Sequence, residues 1–209
     1  MADRPAFTGP DLCAYEAYEV VGLLKRGEVS AAELVDASLK RCAEVEPLVN
    51  AMPILCEDRA RAALNAVPKN SLLSGLPIAI KDLMAVGGVK TTYGTKGLAD
   101  NVPATSEALA KVLEANGAVV IGKANVPELG AGGNTFSEVF GSAANPWHLA
   151  RNAGGPSGGA ARAGGGPGLA RPSALDRPLQ GRGRRPRLGG SAAEWRLPRG
   201  SALRGSARG

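Results

Sequence analysis

After Ala160 the chain loses the residues from which a core is built. Residues 161–209 contain no Ile, Val, Phe, Met, Tyr, Cys or Lys, and are dominated by Gly, Arg, Pro, Ala, Ser and Leu around a single Trp195. Such a segment offers too little apolar surface to offset the entropy of ordering its backbone, so a disordered tail is expected. At 209 residues the chain is long enough for one domain with a substantial core. The net charge of +6 is an average over two unlike parts. Residues 1–150 hold 13 basic and 17 acidic side chains, a net −4, whereas residues 151–209 hold 12 Arg and 2 acidic residues, a net +10. The basic balance belongs to the tail.

Within the first part the hydrophobic pattern changes once. Tyr15 to Arg26 carries apolar residues at near-helical spacing, with Gly27 as a stop. Ser30-Ala-Ala-Glu33 has the form of a capping box that opens a second helix. That helix continues through Leu34, Ala37, Ser38 and Arg41-Cys42 and is expected to end at Pro47. A third helix is expected from Glu57 to Ala66, and all three read as scaffold. After the turn cluster Pro68-Lys-Asn-Ser71, Leu76 to Ile80 reads as a short buried strand. Ser106 to Asn116 reads as a helix closed by Gly117, and Ala118 to Ile121 as a second buried strand rich in β-branched residues. Strand, helix, strand predicts a βαβ unit, hence an α/β fold whose largely parallel or mixed sheet is covered by helices. The expected organisation is a helical segment over residues 1–70, a core over 71–160 and the tail over 161–209.

Several function classes are not expected. No apolar run approaches the length needed to cross a bilayer, and Met-Ala-Asp-Arg-Pro-Ala-Phe lacks the basic start and apolar stretch of a secretory signal. Cys13, Cys42 and Cys56 are an odd set without CxxC spacing, which fits reduced thiols in a cytoplasmic protein. His, Cys and carboxylates nowhere cluster at metal-ligand spacing, and no phosphate-binding glycine motif is present, so neither metal nor cofactor is expected.

The chemistry concentrates between Leu76 and Gly159. Gly75-Leu-Pro-Ile-Ala-Ile-Lys-Asp82 places a lysine at the end of an apolar strand. Active-site groups in such folds sit where strands end, and Lys81 and Lys123 both hold that position. Burial disfavours the ammonium, lowers its pKa and makes the amine available as a base for a serine hydroxyl, directly or through a second hydroxyl. The structural alternative is an ion pair in the Lys81-Asp82 neighbourhood. Further on, Gly154-Gly-Pro-Ser-Gly-Gly159 surrounds Ser157 with glycines. These permit backbone angles closed to other residues and leave amide N–H groups open to an oxyanion; the plain alternative is a turn. Between the two lie Gly130-Ala-Gly-Gly-Asn-Thr-Phe136, Phe140-Gly and Asn145-Pro-Trp147. His148 is the only histidine, so a Ser-His-Asp triad would depend on it, but it follows Trp147 in what reads as a loop. A surface or packing role is expected for it.

These motifs, in this order, resemble the amidase signature family over residues 10–160. That family hydrolyses carboxylic amide C–N bonds through an acyl-serine intermediate, using a Ser–Ser–Lys triad and no metal or cofactor. The resemblance implies a mixed sheet covered by helices, incomplete here, with Lys81 as the general base. It places Gly132, Gly133 and Asn134 in a loop bordering the substrate site, and a small-molecule amide as the partner. The family pattern has two serines between glycine pairs, the first bridging lysine and nucleophile across a cis peptide. Here Pro156 occupies the bridging position: proline accepts a cis bond readily but has no hydroxyl. Ser157 matches the second serine, which is not the family's nucleophile. The nucleophile lies in a Gly-Thr-Asp-x-Gly-Gly-Ser stretch that does not occur here; Leu188-Gly-Gly-Ser191 is its only echo. The chain is therefore expected to be truncated and inactive as written. The alternative within the family is one component of a glutamine-dependent tRNA amidotransferase.

Three readings of the tail stay open. It is translated out of frame, since Arg, Gly, Pro and Ala are all read from GC-rich codons; or it is an Arg-rich arm that binds nucleic acid; or it belongs to a non-catalytic remnant. Arginine interleaved with aromatic residues would favour a binding arm, but Trp195 stands alone. The change from mixed Lys and Arg to Arg alone, inside a motif, favours a frame disruption between Ala160 and Arg162. Nucleic acid enters as a partner only if the tail is genuine.

Overall fold

The computed structural model describes residues 11–163; residues 161–163 of the expected tail continue a short helix, and the remainder of that expectation lies outside the described residues. Helix α1 (Ala17–Arg26) opens on a reciprocal cap between Glu16 and Glu19 and closes on Gly27, whose φ of 72° is the left-handed conformation that a side chain disfavours. It begins two residues after Tyr15, because the cap fixes the first turn. Helix α2 (Ala31–Val49) starts on the predicted box, with the Ser30 hydroxyl accepting the Glu33 N–H and the Glu33 carboxylate accepting the Ser30 N–H. It does not stop at Pro47. A proline in the last turn removes one helical hydrogen bond, and burial of Val45 and Val49 against Ala51 and Trp147 carries the helix past it. Helix α3 (Glu57–Leu64) is two residues shorter than expected.

The sheet has the order β1-β3-β2. Strand β2 (Pro77–Lys81) runs parallel to β3 (Val119–Ala124), and helix α4 (Ala108–Ala115) lies in the connection between them, as the βαβ pattern predicts. Strand β1 (Ile54–Leu55), not foreseen from the sequence, adds antiparallel to β3 and makes the sheet mixed. Alternation along β3 sends Val119 and Ile121 into a cluster with Val35, Leu39 and Cys42 of α2. Val120 turns the other way, against Ile80 and Ala110 of α4. Helices thus cover both faces, which is why every residue of β3 is buried. A third cluster, Val20, Leu34 and Leu76, ties α1 to the start of β2.

Beyond β3 the chain forms two small hairpins, β4 (Phe136–Ser137) with β5 (Gly141–Ser142) and β6 (Ala144–Asn145) with β7 (His148–Asn152). His148 stands on a strand rather than in a loop and is exposed, a surface position. Helix α5 (Gly158–Ala163) follows. Gly159 lets it dock: a Cβ there would lie 2.4 Å from the Asn125 backbone nitrogen and 2.7 Å from the Ala51 carbonyl oxygen. No helix among the described residues is long and apolar enough to cross a membrane.

Candidate active site

The parallel pairing of β2 with β3 determines what Lys81 and its neighbour can do. Lys81 pairs with Ala124, and the Asp82 N–H continues the ladder to the Ala124 carbonyl at 2.9 Å. Successive side chains of an extended chain point to opposite sides, so Lys81 and Asp82 part company. The Asp82 carboxylate turns into the core, where it accepts the Lys123 ammonium at 2.8 Å, the Thr92 hydroxyl at 2.6 Å and the Thr92 N–H at 3.0 Å. Lys123 also donates to the Thr91 hydroxyl at 2.7 Å. Asp82 and Lys123 are both fully buried. Burial pushes the Lys123 amine below the ordinary lysine range, against the upward pull of Asp82.

Two sequence expectations are corrected here. The lysine sunk in the core is Lys123, while Lys81 is only partly buried at the strand's open end. The structural ion pair involves Asp82 with Lys123, because a fully buried carboxylate requires a buried cation and Lys81 lies on the other side.

Lys81 instead reaches across to the glycine-rich segment. Its Nζ donates to the Ser157 Oγ at 3.0 Å. Burial alone lowers the Lys81 amine from the ordinary lysine value, with no charged side chain contributing. Ser157 is exposed and precedes α5, and the Gly155–Pro156 peptide before it is cis. The serine is held from both sides. The Gly158 N–H donates to the Thr135 hydroxyl at 2.8 Å. Asn152 clamps the same loop: its Oδ1 accepts the Thr135 and Gly154 N–H groups at 3.1 and 2.8 Å, and its Nδ2 donates to the Thr135 carbonyl at 2.9 Å. Gly155 lies against the Asn134 backbone, where a Cβ would come within 2.7 Å of the carbonyl carbon.

The predicted residues therefore meet. Lys81, Pro156 and Ser157 share one corner, and Asn134 backs onto it, while the neighbouring Gly132 and Gly133 are exposed, Gly132 with a φ of 118°. Thr135 and Asn152, which position the serine, were missed. Their signal was present only as polar residues beside glycine-rich stretches, and their pairing across 17 positions is not local. Among the described residues no group of three His, Cys, Asp or Glu could hold a metal ion. The arrangement brings an amine of lowered basicity and a hydroxyl into direct contact, the elements of proton abstraction from an alcohol.

Similar proteins share this frame. The A subunit of glutamyl-tRNA(Gln) amidotransferase from Thermosynechococcus vestitus is 40% identical over 147 residues, covering 67% of this chain and 30% of the relative. The solved structure of 6-aminohexanoate cyclic dimer hydrolase superposes with a TM-score of 0.68 at 30% identity, over 71% of this chain and 32% of the other. A bacterial aryl acylamidase of the amidase signature family gives 0.66 at 29% identity, over 71% and 33%. The chain spans about a third of the length of these proteins. A family model described as amidase matches residues 33–167, and with the fold and its motif order in agreement, the chain belongs to the amidase family.

Proposed function

We propose that this chain carries the base side of an amide-hydrolysing centre, with Lys81 as the general base. The observation that carries the reading is the 3.0 Å contact between Lys81 Nζ and Ser157 Oγ, made by a lysine whose neighbouring carboxylate is committed elsewhere. In the full reaction a nucleophilic serine attacks the amide carbonyl, the lysine receives its proton and returns it to the departing amine, and water then cleaves the acyl-serine. Gly132, Gly133 and Asn134 border the substrate, a small carboxylic amide. Three cysteines without disulfides support a cytoplasmic setting.

The chain as written does not complete the family's Ser–Ser–Lys relay. Pro156 has no hydroxyl to pass a proton, and the nucleophile stretch is absent from the sequence. On this reading residues 161–209 are an out-of-frame continuation of an amidase, and with Pro156 at the bridging position no turnover through the family's relay is expected. The gene tests this directly. Read in all three frames from codon 150, it is expected to restore a Gly-Thr-Asp-x-Gly-Gly-Ser stretch; if no frame does, the tail is genuine and its arginines become a nucleic-acid surface. For Lys81 itself, the check is the titration of its Nζ by NMR on isotope-labelled lysine, expected below the ordinary lysine pKa. An ordinary value removes the base.

A second reading, a transamidase component that releases ammonia from glutamine, is supported by amidotransferase relatives at about 40% identity. The restored polypeptide separates the two by its hydrolysis of acetanilide against L-glutamine. Lys81→Ala abolishes either activity, and turnover that survives it would mean the mechanism is misassigned.

A further inference from the structure

We propose that Ser157 is itself a nucleophile in this chain, activated directly by Lys81, and that the pair forms a serine–lysine dyad acylated or phosphonylated by small activated electrophiles. The inference rests on the reading of Lys81 as a base and goes beyond it, because it assigns the attacking atom to a residue outside the family's relay.

Four observations meet at this atom. Lys81 Nζ and Ser157 Oγ are in direct hydrogen-bond contact at 3.0 Å, within the range required of a base and the hydroxyl it deprotonates. With proline at position 156 there is no hydroxyl between them to compete for the amine. The carboxylate nearest in sequence cannot hold Lys81 as an ammonium, since both Asp82 oxygens are taken by Lys123 and Thr92 in the core. Finally, Ser157 is exposed and flanked by glycine and proline, so a small reagent reaches Oγ, while Thr135 and Gly159 keep its backbone in place.

The same geometry selects the class of ligand. The Gly158 N–H is committed to Thr135 and does not turn toward an oxyanion beside Ser157. Unactivated amides, which depend on such stabilisation, are therefore poor substrates, whereas aryl esters and fluorophosphonates carry good leaving groups and depend on it less. With an aryl ester the Oγ–carbonyl carbon bond forms, the carbon–aryloxide bond breaks, and the serine proton passes to Lys81. With a fluorophosphonate the Oγ–phosphorus bond forms and fluoride departs, the proton again moving to Lys81.

The experiment treats the full chain with p-nitrophenyl acetate and, separately, with an alkyl fluorophosphonate, followed by intact mass and peptide mapping. One adduct at Ser157 is expected, forming at a rate that rises with pH and levels off below the ordinary lysine pKa. Ser157→Ala removes it. Lys81→Arg, which keeps a charge but no titrating amine, slows it about 100-fold, in the range of a lost general base. Lys81→Met, which keeps the apolar stem, gives the same loss and guards against an effect of the guanidinium's size. An adduct on another serine, acetylation of Lys81 Nζ in place of Ser157, or labelling no faster than in urea-unfolded chain would overturn the dyad. So would labelling undiminished in both Lys81 variants. If Lys81 titrates low but Ser157 stays unlabelled, the dyad fails and the base reading stands; an ordinary Lys81 pKa ends both.

Discussion

Single side chains carry most of what is testable in this fold. The Asp82–Lys123 pair is fully buried and satisfied on both sides by Thr91 and Thr92. Its worth lies less in net attraction than in what remains when one partner goes. Lys123→Met leaves a carboxylate sealed in the core and is expected to lower stability by roughly 3–5 kcal/mol, read from urea unfolding. A loss under about 1 kcal/mol would mean that water reaches Asp82. Cys42 offers a second handle, since burial, with Glu46 close by, raises its thiol from 9.0 to about 12. Between those two values the unfolded chain gives up a proton that the folded chain retains. The contribution is whole below about pH 9 and is lost as pH climbs toward 12. The thermal midpoint is thus expected to fall from about pH 9 upward, and to fall less in Cys42→Val, which has nothing to ionise. Equal slopes for the two proteins would show that the alkaline loss comes from elsewhere.

Among elements, α5 decides whether the candidate site exists, because it brings Ser157 to Lys81. Its seat requires glycine at position 159, where any Cβ meets the Asn125 and Ala51 backbones at 2.4–2.7 Å. Gly159→Ala is expected to lift the start of α5 and reduce Ser157 labelling to the level of Lys81→Arg. The α2–β3 core should keep its hydrogen-exchange protection; unchanged labelling would mean that the serine loop is held by Thr135 and Asn152 alone. This element also marks the limit of what the sequence disclosed. Helix starts were legible because caps are local: Ser30 and Glu33 declare α2 within four residues. The strand–helix–strand order and Lys81 at a strand end were legible for the same reason. The continuation of α2 past Pro47 was not, since it depends on Val45 and Val49 finding Ala51 and Trp147. Nor were the hairpins between Phe136 and Asn152, most of whose strands are two residues long. They are joined by Asn50, Thr135 and Asn152 bonding across distant positions. The assignment of Asp82 to Lys123 rather than to adjacent Lys81 follows from strand alternation, but only once the register of β2 on β3 is known.

On the scale of the whole molecule, several large apolar side chains of residues 11–163 stand exposed. Tyr18, Leu72, Leu129 and Phe136 are all more than half exposed, and so are Leu109 and Val112. The last two matter most, because they stand three residues apart on one face of α4 while Ala110 faces the sheet. At the sheet's side, β2 pairs only with β3, which leaves its other edge without a strand among the described residues. An open sheet edge and exposed apolar side chains each favour association between copies. The weight-average mass by light scattering is expected to grow with protein concentration, and a dye that reports exposed apolar surface should bind to the folded chain. Leu109→Lys with Val112→Glu removes the α4 patch without touching the core, and should shift the association to higher concentration while leaving Ser157 labelling unchanged. A native chain that stays monomeric across a hundredfold concentration range would show instead that these side chains are covered within the molecule. Association that persists in the double variant would move its cause from α4 to the edge of β2.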